Sequence, residues 1–362
     1  MFFCLVIFSF GFSLNFYAQD KDDDVLRIDT QLVDVPFVVT DKTGKPLLNL
    51  KQSNFIVYED GKKQEITDFA ATAAPFEVAL LLDTSGSTRS DLALIQRAAE
   101  NFIASLRPGD RVSIIAFESK SDGTKSVAVS EVLSNLTADR NKLKDVLARV
   151  KTSNGTPYYD ALLQVIEKVF DEKPKDEFRG RRALVALTDG VDSTSLSDFE
   201  EAREKVTQAG IVSYFIQVDT REFFEENLLG DCSQAMRFSQ AQIKRYYRTF
   251  YPKSSIEKVS AFCQLGDFER LDISKKLYEL ADEEMNYLAK NSGGKVFPVG
   301  DLSEARTAFR SVADEIGTKY SLGYYPSNDK RDGSYRKIKI ELKGIPAGAQ
   351  IRAREGYTAP TN

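Results

Sequence analysis

The sequence predicts an α/β protein in which a doubly wound, mainly parallel sheet is inserted into a small β-sandwich built from the two ends of the chain. Three observations predict it. Between residues 76 and 317, short apolar runs alternate with amphipathic helical segments, the pattern of a sheet covered by helices on both faces. Before and after that stretch, apolar residues tend to alternate with polar ones and are broken by Gly, Pro and Asp turn signals. Neither flank holds enough strands to be stable by itself, so the two are expected to pair with each other.

Residues 1–18 (MFFCLVIFSFGFSLNFYA) carry no charged side chain and read as the apolar region of a secretory signal peptide. Cleavage after Ala18 or Gln19 defines an expected signal of 1–19; since no positive residue precedes the apolar run, an uncleaved anchor is the alternative. The first half of the sandwich, 20–75, opens with an acidic spacer (DKDDD, 20–24) and continues as strands over 25–69. There the turn DKTGKP at 41–46 and the hairpin signal Glu59-Asp60-Gly61 separate apolar positions such as Phe55, Val57, Ile66 and Phe69.

The period changes at Phe76. Strands are expected at 78–82 (VALLL), 111–117, 127–133, 183–187 (ALVAL), 211–218 and 295–298, and helices at 90–106, 140–150, 157–170, 198–209, 275–291 and 303–317. The alternation is interrupted by an insertion at 221–273, whose Lys244, Arg245, Tyr246, Tyr247, Arg248, Phe250 and Tyr251 mix cations with aromatics. A nucleic-acid platform can look like this, but for an exported chain a solvated, partly helical insertion is the expectation. From 318 to 362 the pattern is β-like again, the second half of the sandwich.

Composition removes whole classes of function. With 49 Lys+Arg against 54 Asp+Glu the net charge is −5, so the chain is no generally basic nucleic-acid binder, and no nucleic acid is expected as partner. No span of the mature chain is apolar enough to cross a membrane. There is no histidine, which excludes every triad or metal site that needs an imidazole. Loss of the signal removes Cys4 and leaves Cys232 and Cys263, either as a disulfide or as two buried thiols.

In a doubly wound sheet ligands bind at the carboxyl ends of the strands. After 78–82 comes Asp83-Thr84-Ser85-Gly86-Ser87, before the helix at 157 comes Asn154-Gly155-Thr156, and after 183–187 comes Thr188-Asp189-Gly190. These loops supply Asp83, Ser85, Ser87, Thr156 and Asp189, five short oxygen side chains suited to a hard divalent cation: Mg²⁺, with Mn²⁺ or Ca²⁺ as alternatives. Each piece alone is also an ordinary helix cap or turn; it is their order and their position, each at a strand end or helix start, that point to one centre.

Together the D-x-S-x-S at Asp83, Ser85 and Ser87, the threonine of Gly155-Thr156-Pro157 and the aspartate of Thr188-Asp189-Gly190 resemble the metal-ion-dependent adhesion site of a von Willebrand factor type A (VWA) domain, over 76–317. The flanking pieces VTDKTGKP (39–46), FIVYEDG (55–61), YSLGYYP (320–326) and REGYTAP (354–360) resemble an exported VWFA-related family of acidobacteria.

The resemblance implies a secreted, periplasmic or cell-envelope protein that is no enzyme. Its Mg²⁺ would capture an acidic residue of a partner protein. A structural envelope protein with a vestigial metal site is the alternative. A metal-assisted hydrolase is a third reading, disfavoured because Ser85 lacks a histidine base and its loop lacks the glycines of a nucleophile elbow.

Overall fold

The computed structural model describes residues 32–86, 92–121, 123, 125–253, 262–345 and 347–361. The expected signal segment, the acidic spacer, Ser87 and the start of the helix expected at 90 lie outside the described residues.

The N-terminal strands are β1 (Val33–Thr40), β2 (Phe55–Glu59), β3 (Lys62–Gln64) and β4 (Asp68–Ala70). At the β2–β3 hairpin Asp60 and Gly61 take φ of +48° and +80°, the left-handed pair that a two-residue turn between twisted strands requires.

The sheet region begins with β5 (Glu77–Leu82), buried at every residue, and continues through α1 (Leu92–Ser105), β6 (Arg111–Ser121), β7 (Ser126–Thr137), α2 (Arg140–Leu147) and α3 (Tyr158–Gln164). A wider π-type turn over Val165–Val169 extends α3. Then follow β8 (Arg182–Thr188), α4 (Phe199–Ala209) and β9 (Val212–Val218). After α5 (Arg221–Glu226), α6 (Gln240–Phe250) and α7 (Asp267–Ser292), the sheet closes with β10 (Lys295–Val299) and α8 (Ala305–Gly317). The strand order is β10-β9-β8-β5-β6-β7, parallel except for the antiparallel edge pair β6–β7. Successive β5 side chains go to opposite cores. Val78, Leu80 and Leu82 pack with α1, α2 and α8, while Ala79 and Leu81 pack with α3, α4 and α7. Because β6 lies on one side of β5 and β8 on the other, the connections diverge at β5, and a crevice is left at the carboxyl ends of these strands.

The tail forms β11 (Tyr320–Tyr324), β12 (Tyr335–Leu342), β13 (Gln350–Ala353) and β14 (Gly356–Thr358). It pairs with the N-terminal strands in two four-stranded sheets, β13-β1-β11-β4 and β14-β12-β2-β3. The registers set Val35 opposite Leu322 and Val57 opposite Ile340. Val35, Phe37, Val39, Phe55, Val57, Tyr320, Leu322 and Tyr324 fill the space between the sheets, with the Phe37 and Phe55 rings edge to face at 4.8 Å.

The insertion departs from expectation. It is a packed helical unit, not a solvated stretch: Leu228, Phe238, Ile243, Tyr246, Phe262, Leu265, Ile273 and Leu277 form one apolar cluster. The reason is closure of the chain on itself, by the Cys232–Cys263 disulfide with Cα atoms 5.3 Å apart and by Arg270. The buried Arg270 guanidinium donates to the carbonyls of Leu265, Leu228 and Gly230. Helix α7 starts at Asp267, eight residues before the expected 275, because its first turns bury Arg270 and Ile273 in that cluster. Among the described residues no helix is long and apolar enough to cross a membrane.

Candidate metal centre

Three loops meet at the β5 crevice, and backbone bonds knit them. The Asp83 N–H donates to Leu187 O at 2.9 Å, and the Ser153 N–H to Thr84 O at 2.7 Å. Thr84 Oγ1 donates to Phe117 O at 2.5 Å, tying the first loop to β6 as well. The second and third loops join where the Thr156 N–H donates to Ser193 Oγ at 2.8 Å and the Ser193 N–H to Thr156 O at 2.9 Å. Gly155 permits this approach, since a Cβ there would lie 2.7 Å from Thr194 Cγ2. At Gly190, φ is +74° and a Cβ would meet the Met285 methyl of α7 at 2.9 Å. That turn therefore needs glycine.

Of the five residues expected to form the centre, Asp83, Ser85, Thr156 and Asp189 are all described, and all are 8% exposed or less. Ser87 is not among the described residues. Asp83 Oδ2 accepts from Thr188 Oγ1 at 2.7 Å and Asp83 Oδ1 from the Ser85 N–H at 3.0 Å. Asp189 Oδ1 accepts from the Val191 N–H at 2.9 Å. Its Oδ2 accepts from Thr220 Oγ1 at 2.5 Å, and Thr220 in turn is 2.8 Å from the Tyr278 hydroxyl of α7. Burial and then the neighbouring Asp83 charge push the Asp189 carboxyl up to about 7. Burial likewise raises Asp83, against the bonds from Ser85 and Thr188.

Sequence reasoning missed a second ring of groups. Thr220 lies just past β9, so the strand-end rule reaches it. Tyr278, midway along α7, carries no local signal. Asp192 accepts from the Tyr158 N–H at 2.9 Å and from Ser195, and burial raises it to about 6. Glu284 accepts from the Tyr159 hydroxyl at 2.9 Å and from Arg245. Fully buried Tyr158 has a hydroxyl with no hydrogen-bond partner, and burial, then the charges of Glu284, Asp192, Asp83 and Asp189, raise its pKa well above normal.

The donor set fits a hard cation. Two buried carboxylates with serine and threonine hydroxyls are oxygen ligands of the kind Mg²⁺ prefers. No group of three or more acids and cysteines able to cage a metal exists among the described residues, so a cation here would rest on hydroxyls and water as well as carboxylates.

Residues 78–191 match the family model of the von Willebrand factor type A domain. Among solved structures the chain is similar to a von Willebrand factor type A protein from Catenulispora acidiphila, at 13% identity over 96% of this chain and 76% of that one, TM-score 0.43. It is also similar to proximal thread matrix protein 1 from the mussel byssus (12% identity, 67% of this chain, 48% of that one, TM-score 0.40). A third is the SpRpn10 VWA domain (11% identity, 64% of this chain, 93% of that one, TM-score 0.37). The chain spans about half the length of the byssus protein, 48% and 51% in its two crystal structures. No curated protein matches it. The strand order at the crevice and the match over 78–191 together identify the α/β region as a domain of the von Willebrand factor type A fold.

Proposed function

We propose that the chain is a metal-dependent, adhesion-type protein-binding module of the bacterial envelope or exterior. In this reading Mg²⁺ held by Asp83, Ser85, Ser87, Thr156 and Asp189 captures a carboxylate of a partner protein, and Mn²⁺ or Ca²⁺ can substitute on the same oxygen chemistry. One observation carries it: backbone bonds draw the loops after β5 and β8 and the loop before α3 into one crevice lined by two buried aspartates and short hydroxyl side chains. The disulfide supports an oxidising compartment and hence export, in line with the resemblance of the flanks to the exported acidobacterial family. The role is binding, not turnover, because the Ser85 loop lacks the glycines of a nucleophile elbow and offers that serine no histidine base.

Calorimetric titration of Mg²⁺ and Mn²⁺ into EDTA-stripped protein tests the reading. The wild type gives saturable binding, and Asp189→Ala weakens it by about 100-fold. A wild type that binds neither cation would overturn it in favour of a structural envelope protein with a vestigial site.

A further inference from the structure

The apolar cluster of the insertion extends to the candidate metal centre. Val191, whose N–H donates to Asp189 Oδ1, is one of its buried members, and Tyr278, whose hydroxyl backs Thr220 against Asp189 Oδ2, packs against it. Between Asp189 and Val191, the Gly190 backbone rests on α7, where a Cβ would meet the Met285 methyl at 2.9 Å and Ala281 Cβ at 3.4 Å. Both donors to the Asp189 carboxylate are therefore held in place by the packing of α7 and the insertion. Helix α7 itself divides between two cores: Ile273, Leu277 and Ala281 belong to the insertion cluster, and Met285, Leu288 and Ala289 to a core of the six-stranded sheet. Its second half thus stays anchored on the sheet if the insertion loosens.

The Cys232–Cys263 bond closes the insertion, joining residues 31 apart around α6. Cys263 is exposed, in the turn Phe262–Gln264, whereas Cys232 is half-buried against the cluster. The neighbours of each cysteine take part in the closure. The Arg270 guanidinium lies over the Phe262 ring at 4.4 Å, Phe262 meets Phe238 edge to face at 6.1 Å, and Arg237 donates to Cys232 O at 3.0 Å. Between α5 and α7 no strand ties this part of the chain to a sheet, among the described residues. Its closure depends on side-chain packing, Arg270 and the disulfide.

We infer that this disulfide is a redox-sensitive clamp on the metal centre, opened by a dithiol reductant; the inference rests on the proposed metal-capture function. A thiolate of the dithiol attacks the exposed Cys263 Sγ, the Sγ–Sγ bond breaks, and Cys232 leaves as a thiolate that takes up the proton the reductant lost. The second thiol of the reductant then displaces Cys263 in the same way. The protein gains two electrons and two protons, and the reductant becomes a disulfide. With the clamp open, the chain regains the freedom that the bond removed, and the insertion opens more readily than the sheet does. Val191 and Tyr278 lose packing partners, and Asp189 is held less firmly toward a cation. Linkage requires the converse: a bound cation makes the disulfide harder to reduce by the same factor.

Calorimetry with Mg²⁺ compares the oxidised protein with the same protein kept anaerobic in dithiothreitol. Reduction lowers the Mg²⁺ affinity about tenfold and re-oxidation restores it. Cys232→Ser/Cys263→Ser shows the lower affinity with and without dithiothreitol. Amide exchange followed by mass spectrometry gives a readout that needs no metal: the loop 189–195 exchanges faster on reduction while β5 and β8 stay protected. Equal Mg²⁺ affinity in the two states would overturn the inference. So would loss of protection throughout β5 and β8, because the bond would then hold the whole domain together and not the insertion alone. If the oxidised protein binds no Mg²⁺ yet reduction still speeds exchange in the loop, the metal reading falls and the coupling of the disulfide to the crevice stands.

Discussion

Glu59 in the sandwich and Asp189 at the end of the parallel sheet are both buried acids, 2% and 8% exposed, in opposite company. Glu59 accepts from the hydroxyls of Tyr324 at 2.8 Å and Tyr357 at 2.9 Å, and Arg336 sits 3.4 Å away. Asp189 accepts from one hydroxyl and one N–H, pairs with no Lys or Arg among the described residues, and has the Asp83 carboxylate as its charged neighbour. The first cluster is complete within the chain; in the second, two buried carboxylates neighbour each other in a low-dielectric crevice. Each of two neighbouring buried carboxylates raises the cost of ionising the other, a cost that an arginine beside the acid lowers. The comparison separates a carboxylate set beside an arginine from one set beside a second carboxylate.

Arg336→Met attacks the complete cluster and has the largest expected effect. Stranding buried Glu59 costs about 3–5 kcal/mol in urea unfolding. A loss below about 1 kcal/mol would show that the sandwich acid is not compensated by its arginine, and would erase the contrast.

A third buried charge sharpens it through pH. Lys319 is fully buried, donates to Gly293 O at 2.9 Å, and is pushed down to about 7, first by burial, then by Arg352 and Arg181, against the opposing Glu315 charge. Its ring neighbour is Tyr214, 5.6 Å away. The unfolded chain keeps this proton to about 10.5 whereas the folded one releases it near 7, so between these values the unfolded state binds more protons and stability rises with pH. Thermal melts at pH 7 and 9 show a rise of a few degrees in the wild type that Lys319→Met lacks. An equal rise in both proteins would assign it to other groups.

Tyr278→Phe is the smallest perturbation. It removes the hydroxyl that backs Thr220 against Asp189, costing about 1 kcal/mol of stability. Mg²⁺ affinity measured by calorimetry shifts with it by up to about tenfold, since Asp189 is then less firmly oriented. An unchanged affinity would show that α7 carries no influence into the crevice.

Much of this was legible from residues alone. The runs VALLL and ALVAL became the buried β5 and β8, because a strand covered on both faces needs apolar side chains at every position. The Asp-Gly pair at 60–61 became a tight hairpin, and the tail strands paired with the N-terminal ones. The insertion was misread. Its cations and tyrosines in α6 look solvated in sequence, and its apolar residues are spaced too irregularly, at 228, 238, 262 and 265, to show a period.

The sequence determined the order of strands and helices and the oxygen-rich loops at their ends. Periodicity and turn chemistry are local, so neighbours in the chain suffice to specify them. Tertiary structure alone decided that Cys232 meets Cys263, that Thr220 and Tyr278 reach Asp189, and that α6 faces the loop after β8. Those contacts join residues 31, 31, 58 and about 45 positions apart. At such separations only packing of the whole chain brings them together.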